Sequence, residues 1–389
     1  MQFQQNPMAL LFLCDYQAPY GGNFIASLTR LHAALTQRGV PARYLFPLDA
    51  ESRSWCKQMR TIGMQTLFFD KGAPLYKQNQ LLCSILHSYH ITILHVHFGC
   101  FPLAELAALR MPHLRLILHF HSDFSAGKPP TFQKRFRDVV YRIPERFIGK
   151  HRIQKITVSE TSAITTPDCI GIHNALVAER FANDVWTREQ TRKAYNVAES
   201  AILVLVFGWS PYIKGVDVAV NAMQRIHDAG HAQYLLGIIC GRAYTAEQMR
   251  SFLAERTNCT GEEPWLRLFP PEEDVFRYHH ACDVMLSASR SETFSYALLE
   301  ALYSCKPCVC SDIPGVRWAK RFDTVRFYPV EDTAALSSAI SAAAMDGCSE
   351  SFSIRAQAVS DIVQHEYSIE DWCNLMLSVY GLDPSHAVP

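Results

Sequence analysis

Several things are missing from this 389-residue sequence, and each absence narrows the reading. No stretch approaches the roughly 20 apolar residues that a membrane-spanning helix needs. Tandem repeats and low-complexity tracts are absent, which argues against a solenoid or a disordered tail. There is no G-x-G-x-x-G after the first apolar run, which argues against a dinucleotide-binding dehydrogenase. The opening MQFQQNPMALLFLCDY has an apolar stretch of only seven residues and no basic flank, so it reads as a first strand and not as a secretion signal. Cysteine is present thirteen times, an odd number scattered through apolar runs, as in Cys14, Cys240 and Cys282. That usage fits reduced core thiols of a cytoplasmic protein. Cys305 and Cys308 have C-x-x-C spacing, but a structural zinc site needs a second ligand pair, so packing is the better reading.

Net charge is zero, yet the halves are not neutral: residues 1–190 carry 21 Lys and Arg against 13 Asp and Glu, and the remainder 16 against 24. The basic first half suggests an anionic neighbour. Much of the excess comes from residues 128–155, with nine basic residues against Asp138 and Glu145. There Phe132, Phe136, Val140, Ile143 and Phe147 recur at helical spacing. A basic amphipathic helix of this kind suits the surface of an anionic bilayer, and equally a core-packed helix with a solvated face.

What is present in quantity is alternation. MALLFLCDY, PARYLFPL, TLFFD, ITILHVHF and LRLILHFH read as strands, separated by helical segments such as NFIASLTRLHAALTQRG, LLCSILHSY and PLAELAALR. AILVLVFGWS, YLLGIICG, WLRLFP and DVMLSAS continue the rhythm. Strand and helix in alternation imply parallel sheets, and a chain of this length exceeds what one core fills. His95-x-His97 and His119-x-His121 end two of the strands, each pair on one strand face. Two such pairs raise the alternative of a metal-dependent hydrolase, but no supporting carboxylate pattern accompanies them.

Residues 283–315 carry the chemistry. An apolar run from Asp283 to Ala288 fits a buried strand, Ser289 to Thr293 the polar loop leaving it, and Ser295 the N-cap of a helix striped by Leu298, Leu299 and Leu302. Lys306-Pro307 ends that helix before Cys308 opens the next strand. Ligands of open parallel sheets sit at the carboxyl ends of the strands, and a helix N-terminus there favours a diphosphate. Glu292 and Glu300 are placed to face one such pocket.

Ser-Arg-Ser-Glu-x-Phe, a second Glu after seven intervening residues and a Lys-Pro-x-Val strand resemble the donor-site signature of family 4 glycosyltransferases, retaining enzymes of GT-B fold. The resemblance implies two facing Rossmann-like domains with parallel sheets: an acceptor-side domain over 1–185, a nucleotide-sugar-binding domain over 186–365, and a C-terminal helix over 366–389 crossing back to the first. It implies that Glu292 lies beside the donor sugar and that Glu300 accepts hydrogen bonds from the ribose. The backbone of Thr293, Phe294 and Ser295 would contact sugar and phosphate. Lys214 matches the lysine that neutralises the diphosphate, and His121 the histidine near donor and acceptor. Gly22 falls in the first glycine-rich loop, and Ser159, Asn174 and Phe181 match shorter motifs around the domain boundary. The implied reaction moves a sugar from a nucleoside-diphosphate sugar to a saccharide or lipid-linked hydroxyl, in glycan, polysaccharide or glycolipid biosynthesis. The expectation is no cofactor, no metal and no nucleic acid, in a cytoplasmic protein with peripheral membrane contact through 128–155.

Three departures matter. Thr293-Phe294-Ser295 stands where the family has Gly-Phe-Gly, His119 where it has Thr, and Trp209 where it has arginine. Loss of that arginine weakens stabilisation of the leaving diphosphate, with Arg290 and Arg242 as candidate substitutes by position. It also keeps in play a catalytically impaired partner subunit of the same fold; a nucleotide-sugar epimerase, which shares the GT-B architecture, is a second alternative.

Overall fold

The computed structural model describes residues 8–121, 147–158, 168–182, 187–241, 245–272 and 275–382. The basic segment over 128–146, Ser159 and Arg242 lie outside the described residues. The chain divides into two compact units, Met1–Ala175 with Ile369–Pro389, and Leu176–Ser368. Each unit is a Rossmann-like layer structure around its own parallel sheet.

In the first unit, β1 (Leu10–Cys14), β2 (Ala42–Pro47), β3 (Gln65–Phe69), β4 (Ile93–His97), β5 (Arg115–Phe120), β6 (Ile153–Thr157) and β7 (Cys169–Gly171) form one sheet in the order β3-β2-β1-β4-β5-β6-β7. All pairings are parallel. Every residue of β1 is buried, as expected for a central strand covered on both faces. The helix Gly22–Gln37 follows β1 and is closed by Gly39 at φ +66°, the left-handed position that ends many helices. The helix Ile369–Tyr380 belongs to this unit and contacts the helix Gly22–Gln37. Arg115 fixes its end, donating to the carbonyls of Val379 (2.5 Å) and Tyr380 (3.2 Å), where a cation also complements the helix dipole.

The second unit contains β8 (Ile202–Phe207), β9 (Tyr234–Ile239), β10 (Leu266–Phe269), β11 (Val284–Ser287), β12 (Cys308–Ser311) and β13 (Val325–Tyr328), ordered β10-β9-β8-β11-β12-β13 and again all parallel. Strand order therefore reverses between β8 and β11 here, and between β1 and β4 in the first unit. At such a reversal the crossover connections leave to opposite sides, and a crevice opens at the carboxyl ends of the two strands. The helices Val216–Asp228 and Thr333–Gly347 cover one face, contributing Val216, Ala219, Val220, Met223, Leu336 and Ile340 to the core.

Sequence periodicity places most of these elements correctly to within a few residues. It passes over β7 and β13, which are three and four residues long, and the helices Ser54–Thr61 and Glu350–Glu366. All thirteen cysteines are free thiols, including Cys305 and Cys308.

One buried polar anchor locks the start of the second sheet. Asp283, just before β11, accepts from Arg192 at 3.1 Å, from Arg188 at 2.6 Å and from the Leu203 amide at 2.7 Å. Arg192 is wholly buried and also donates to the carbonyls of Ala198, Ala201 and Ala281. Removing one partner of a buried pair strands the other charge. Asp283→Ala is therefore expected to cost about 3–5 kcal/mol, read as a lowered midpoint in urea unfolding; an unchanged midpoint would show that the carbonyls alone satisfy Arg192.

Candidate functional site

The loops that leave β8 and β11 in the second unit meet side by side. Lys214, at the end of the first loop, donates through Nζ to Oε1 of Glu292 on the second. Ser289 Oγ donates to the same carboxylate oxygen at 3.0 Å. Both members of the Lys214–Glu292 pair are largely sheltered, with side chains 17% and 12% exposed. Together with Ser295 they line one small cavity, floored by Val206, Phe207, Leu286 and Ala288.

Close backbone approach makes this possible. Gly215 has φ +62°, and a Cβ there would lie 2.0 Å from the carbonyl oxygen of Ala288. Gly315, in the segment after β12, would bring a Cβ within 2.0 Å of the Glu292 carbonyl oxygen. Only hydrogen in place of a side chain lets the three segments pack this tightly. The Arg290 amide donates to the Ile213 carbonyl at 2.8 Å, and Ser311 Oγ to the Ser289 carbonyl at 2.5 Å, so the loop is tied on both sides.

Ser295 is the N-cap of the helix Tyr296–Tyr303, its hydroxyl accepting from the Leu298 amide at 3.3 Å. The first turn of that helix borders the Lys214–Glu292 cavity, which Ser295 and Ala297 both line. Phe294 turns its side chain away: it is buried, stacked on Trp318 with ring centroids 5.2 Å apart, so only its backbone can serve a ligand there. Thr293 is half-buried between them.

The remaining candidates are placed differently. Arg290 is a clamp within the protein. Its Nη1 and Nη2 grip both oxygens of Asp217 at 2.8 and 2.9 Å, Nε reaches Glu331 at 2.6 Å, and Nη1 also donates to the Tyr212 carbonyl. The fork geometry is that of a strong bidentate pair, and the hydrogen bond to Asp217, with a smaller one to Glu331, holds the guanidinium well above its usual range against the opposing effect of desolvation. All three guanidinium nitrogens are engaged within the protein. Trp209 itself is half-exposed and packs on Phe207 at 5.1 Å. Glu300 lies on the inner side of its helix, 5% exposed, with Oε2 3.4 Å from Nε2 of the fully buried His279. It does not line the cavity that holds Glu292.

Gly22 and His121 belong to the first unit. Gly22 opens its helix at φ +56°, near the Tyr16 hydroxyl, which donates to the carbonyls of Tyr20 and Gly21. His121 follows β5, stacked on Phe98 with centroids 4.1 Å apart, and its Nε2 meets Nδ1 of His97 at 2.9 Å. Burial depresses its proton affinity below the ordinary histidine range, and His119 and His95 add to the effect. The loop after β4 puts two non-glycine residues, Phe98 (φ 67°) and Cys100 (φ 63°), in the left-handed region. Strain of this kind concentrates at ligand sites.

Sequence reasoning missed Asp217 and Glu331 as the partners of Arg290 and His279 as the neighbour of Glu300. No local pattern marks them, because each pair joins segments brought together only by sheet order.

Comparison with known proteins now gives the site its class. The sequence model of the family described as Glycosyl transferases group 1 matches residues 201–346, the span holding Lys214, Glu292 and Glu300. No curated protein sequence matches the chain. Solved structures match along nearly the whole length. A glycosyltransferase from Rickettsia africae ESF-5 superposes with a TM-score of 0.76 at 15% identity, covering 97% of this chain and 98% of that one. Anabaena Alr3699/HepE in complex with UDP gives 0.74 at 16% identity, covering 96% and 100%. The sucrose-phosphate synthase of Thermosynechococcus elongatus gives 0.73 at 16%, covering 96% and 98%. The fold is thus GT-B, and within the second unit residues 201–346 match the group 1 glycosyltransferase model.

The glycine contacts are testable by contrast. Gly315→Ala forces a Cβ onto backbone and is expected to lower stability by about 1–3 kcal/mol through overpacking. Gly39→Ala, at φ +66° with open space around it, isolates left-handed strain alone, about 1–2 kcal/mol. Thermal unfolding of both, with the Gly315→Ala,Gly39→Ala double variant, checks this: additive losses are expected, and no loss at Gly315 would show that the loop yields freely.

Proposed function

We propose that the protein transfers a glycosyl unit from a nucleoside-diphosphate sugar to a hydroxyl acceptor, with retention of anomeric configuration. The observation that carries this reading is the convergence of Lys214, Glu292 and the capped N-terminus at Ser295 on one cavity at the β8/β11 reversal, inside the matched segment. In the reaction the bond from the anomeric carbon to the diphosphate breaks, the acceptor oxygen bonds to that carbon, and the acceptor proton is lost. Negative charge grows on the diphosphate, so its stabilisation dominates the barrier. Lys214 supplies a cation already oriented by Glu292, and the first-turn amides after Ser295 supply oriented dipoles that need no reorganisation. Glu292, relieved of part of its ion pair when the phosphates engage Lys214, orients the sugar and supports positive charge at its anomeric carbon.

The other roles follow the same reading. Glu300 accepts from the ribose hydroxyls, which requires its carboxylate to turn from His279. The backbone of Thr293, Phe294 and Ser295 contacts sugar and phosphate, Gly22 admits close backbone approach in the first unit, and His121 contacts donor or acceptor. Arg290 acts at one remove, by fixing the donor loop to Asp217. The lysine and the helix dipole neutralise the phosphates without a metal or other cofactor. The Anabaena protein was solved with UDP and with UDP-glucose, which makes UDP-glucose the first donor to try. The acceptor is a saccharide or a lipid-linked hydroxyl in glycan, polysaccharide or glycolipid biosynthesis, and the protein works in the cytoplasm.

Calorimetric titration with UDP, GDP, ADP and TDP tests the donor site. One nucleotide is expected to bind, and Lys214→Ala and Glu300→Ala are each expected to weaken it at least about tenfold, the 1.4 kcal/mol scale of one charged hydrogen bond. If none binds to the intact protein, the exposed Trp209 and the committed Arg290 favour a catalytically impaired partner subunit instead. Conversion of a nucleotide sugar without any acceptor would point to an epimerase.

Peripheral membrane contact through 128–155 is part of the same proposal. No helix among the described residues is long and apolar enough to cross a membrane, and Phe147, within that segment, is 73% exposed. Sedimentation with liposomes is expected to show binding to anionic vesicles and not to neutral ones, reduced by salt; equal binding to both, or to neither, counts against it.

A further inference from the structure

The parallel register of β4 and β5 sets His97 opposite His119. A two-residue step keeps His95 with His97, and His119 with His121, on one strand face, so four imidazoles gather inside the first unit. The rings of His95 and His119 are parallel to within 4°, and the centroids of His95 and His97 are 4.1 Å apart. His95, His97 and His119 are at most 1% exposed.

Their hydrogen bonds do not close. His95 Nδ1 meets the Tyr380 hydroxyl at 2.8 Å and its Nε2 faces Nδ1 of His119 at 3.3 Å. His97 Nδ1 faces His121 Nε2. That leaves His97 Nε2 and His119 Nε2 buried with no hydrogen-bond partner. Buried polar atoms are nearly always satisfied, and two orphans in one cluster of touching rings call for a shared partner. One ring nitrogen from each of His95, His97 and His119 lies within 4.8 Å of the others. Bonds of about 2.0–2.1 Å around a tetrahedral ion separate its ligand nitrogens by about 3.3 Å, so ring movements of about 1 Å complete the set.

We propose that His95, His97 and His119 bind a divalent transition ion of the zinc type, Zn²⁺, Co²⁺ or Ni²⁺, as a structural centre of the first unit. Three imidazoles suit such borderline ions, whereas magnesium and calcium demand oxygen ligands. Two of the three ligand rings have an outer partner of the kind that fixes tautomer and orientation: Tyr380 for His95, and His121 for His97. The ion would tie β4 to β5 and, through Tyr380, to the helix Ile369–Tyr380. The three proposed ligands have no role in the proposed transfer reaction.

The test uses the full chain labelled with 15N-histidine, stripped with a chelator and titrated with zinc chloride. The expected result is uptake of one zinc per chain, movement of the ring-nitrogen resonances of His95, His97 and His119, with a smaller shift at His121 through its hydrogen bond to His97, and a rise in the thermal unfolding midpoint. His119→Gln should abolish uptake, and His113→Gln, at an exposed position, should not. If His119→Gln does not fold, the wild-type resonances decide by themselves. Absence of any ring-nitrogen movement at saturating zinc, zinc held by cysteine thiols instead, or undiminished uptake by a folded His119→Gln would each overturn the proposal.

Discussion

The cavity that holds Lys214 and Glu292 depends on a single constraint, that two peptide segments approach the loop after β11 more closely than any side chain would permit. Gly215 meets it at Ala288 and Gly315 at Glu292, each with room for no Cβ. Once those contacts form, Lys214 has little choice of partner, since its backbone is held across from Glu292 and both side chains are sheltered from water. The ion pair is thus a consequence of backbone packing as much as a cause of it. Its value is orientation: two opposite charges hold each other in place at the mouth of the sheet, beside the helix turn that Ser295 caps.

The same logic explains what became of Arg290. By sequence position it is as good a phosphate ligand as Lys214, three residues past the strand end and next to Glu292 in the polar loop. In the folded protein, Asp217 on the first turn of the helix Val216–Asp228 captures it in a bidentate grip, and Glu331 takes the remaining nitrogen. The cation is spent on holding the loop after β11 against the loop after β8. A guanidinium is suited to that task because its planar fork matches a carboxylate, while a flexible ammonium is the better mobile counter-charge for phosphate. The division of labour between Arg290 and Lys214 leaves the site with one committed and one exchangeable cation.

How much of this was legible in the sequence follows from the range of the interactions. Local signals were readable: the all-apolar β1, the Ser295 cap, the acidic and basic residues of the loops, and the alternation that implies parallel sheets. Longer-range partners were not, because they depend on strand order and register. His95 and His119 are 24 residues apart and meet only because β4 and β5 pair in one register; a shift by one residue would turn one pair to the opposite face. Tyr380 reaches His95 across 285 residues of chain. Short edge strands such as β7 and β13 carry too few residues to show a period, and their strand identity comes from the neighbour they pair with.

Charge was the feature most open to misreading. The basic excess of the first half suggests an anionic partner, yet several of its arginines are occupied within the fold. Arg115 caps the last carbonyls of the helix Ile369–Tyr380, and Arg152 donates to the carbonyls of Ala108, Met111, Leu114 and Ile148. An arginine spread over carbonyls in this way keeps its full charge, so the long-range field of the unit remains positive. What it gives up is the ability to form direct contacts with an external phosphate or lipid headgroup. The field and the contact surface therefore have to be distinguished: the first follows from composition, whereas the second belongs only to those cations whose hydrogen bonds the fold has not already taken.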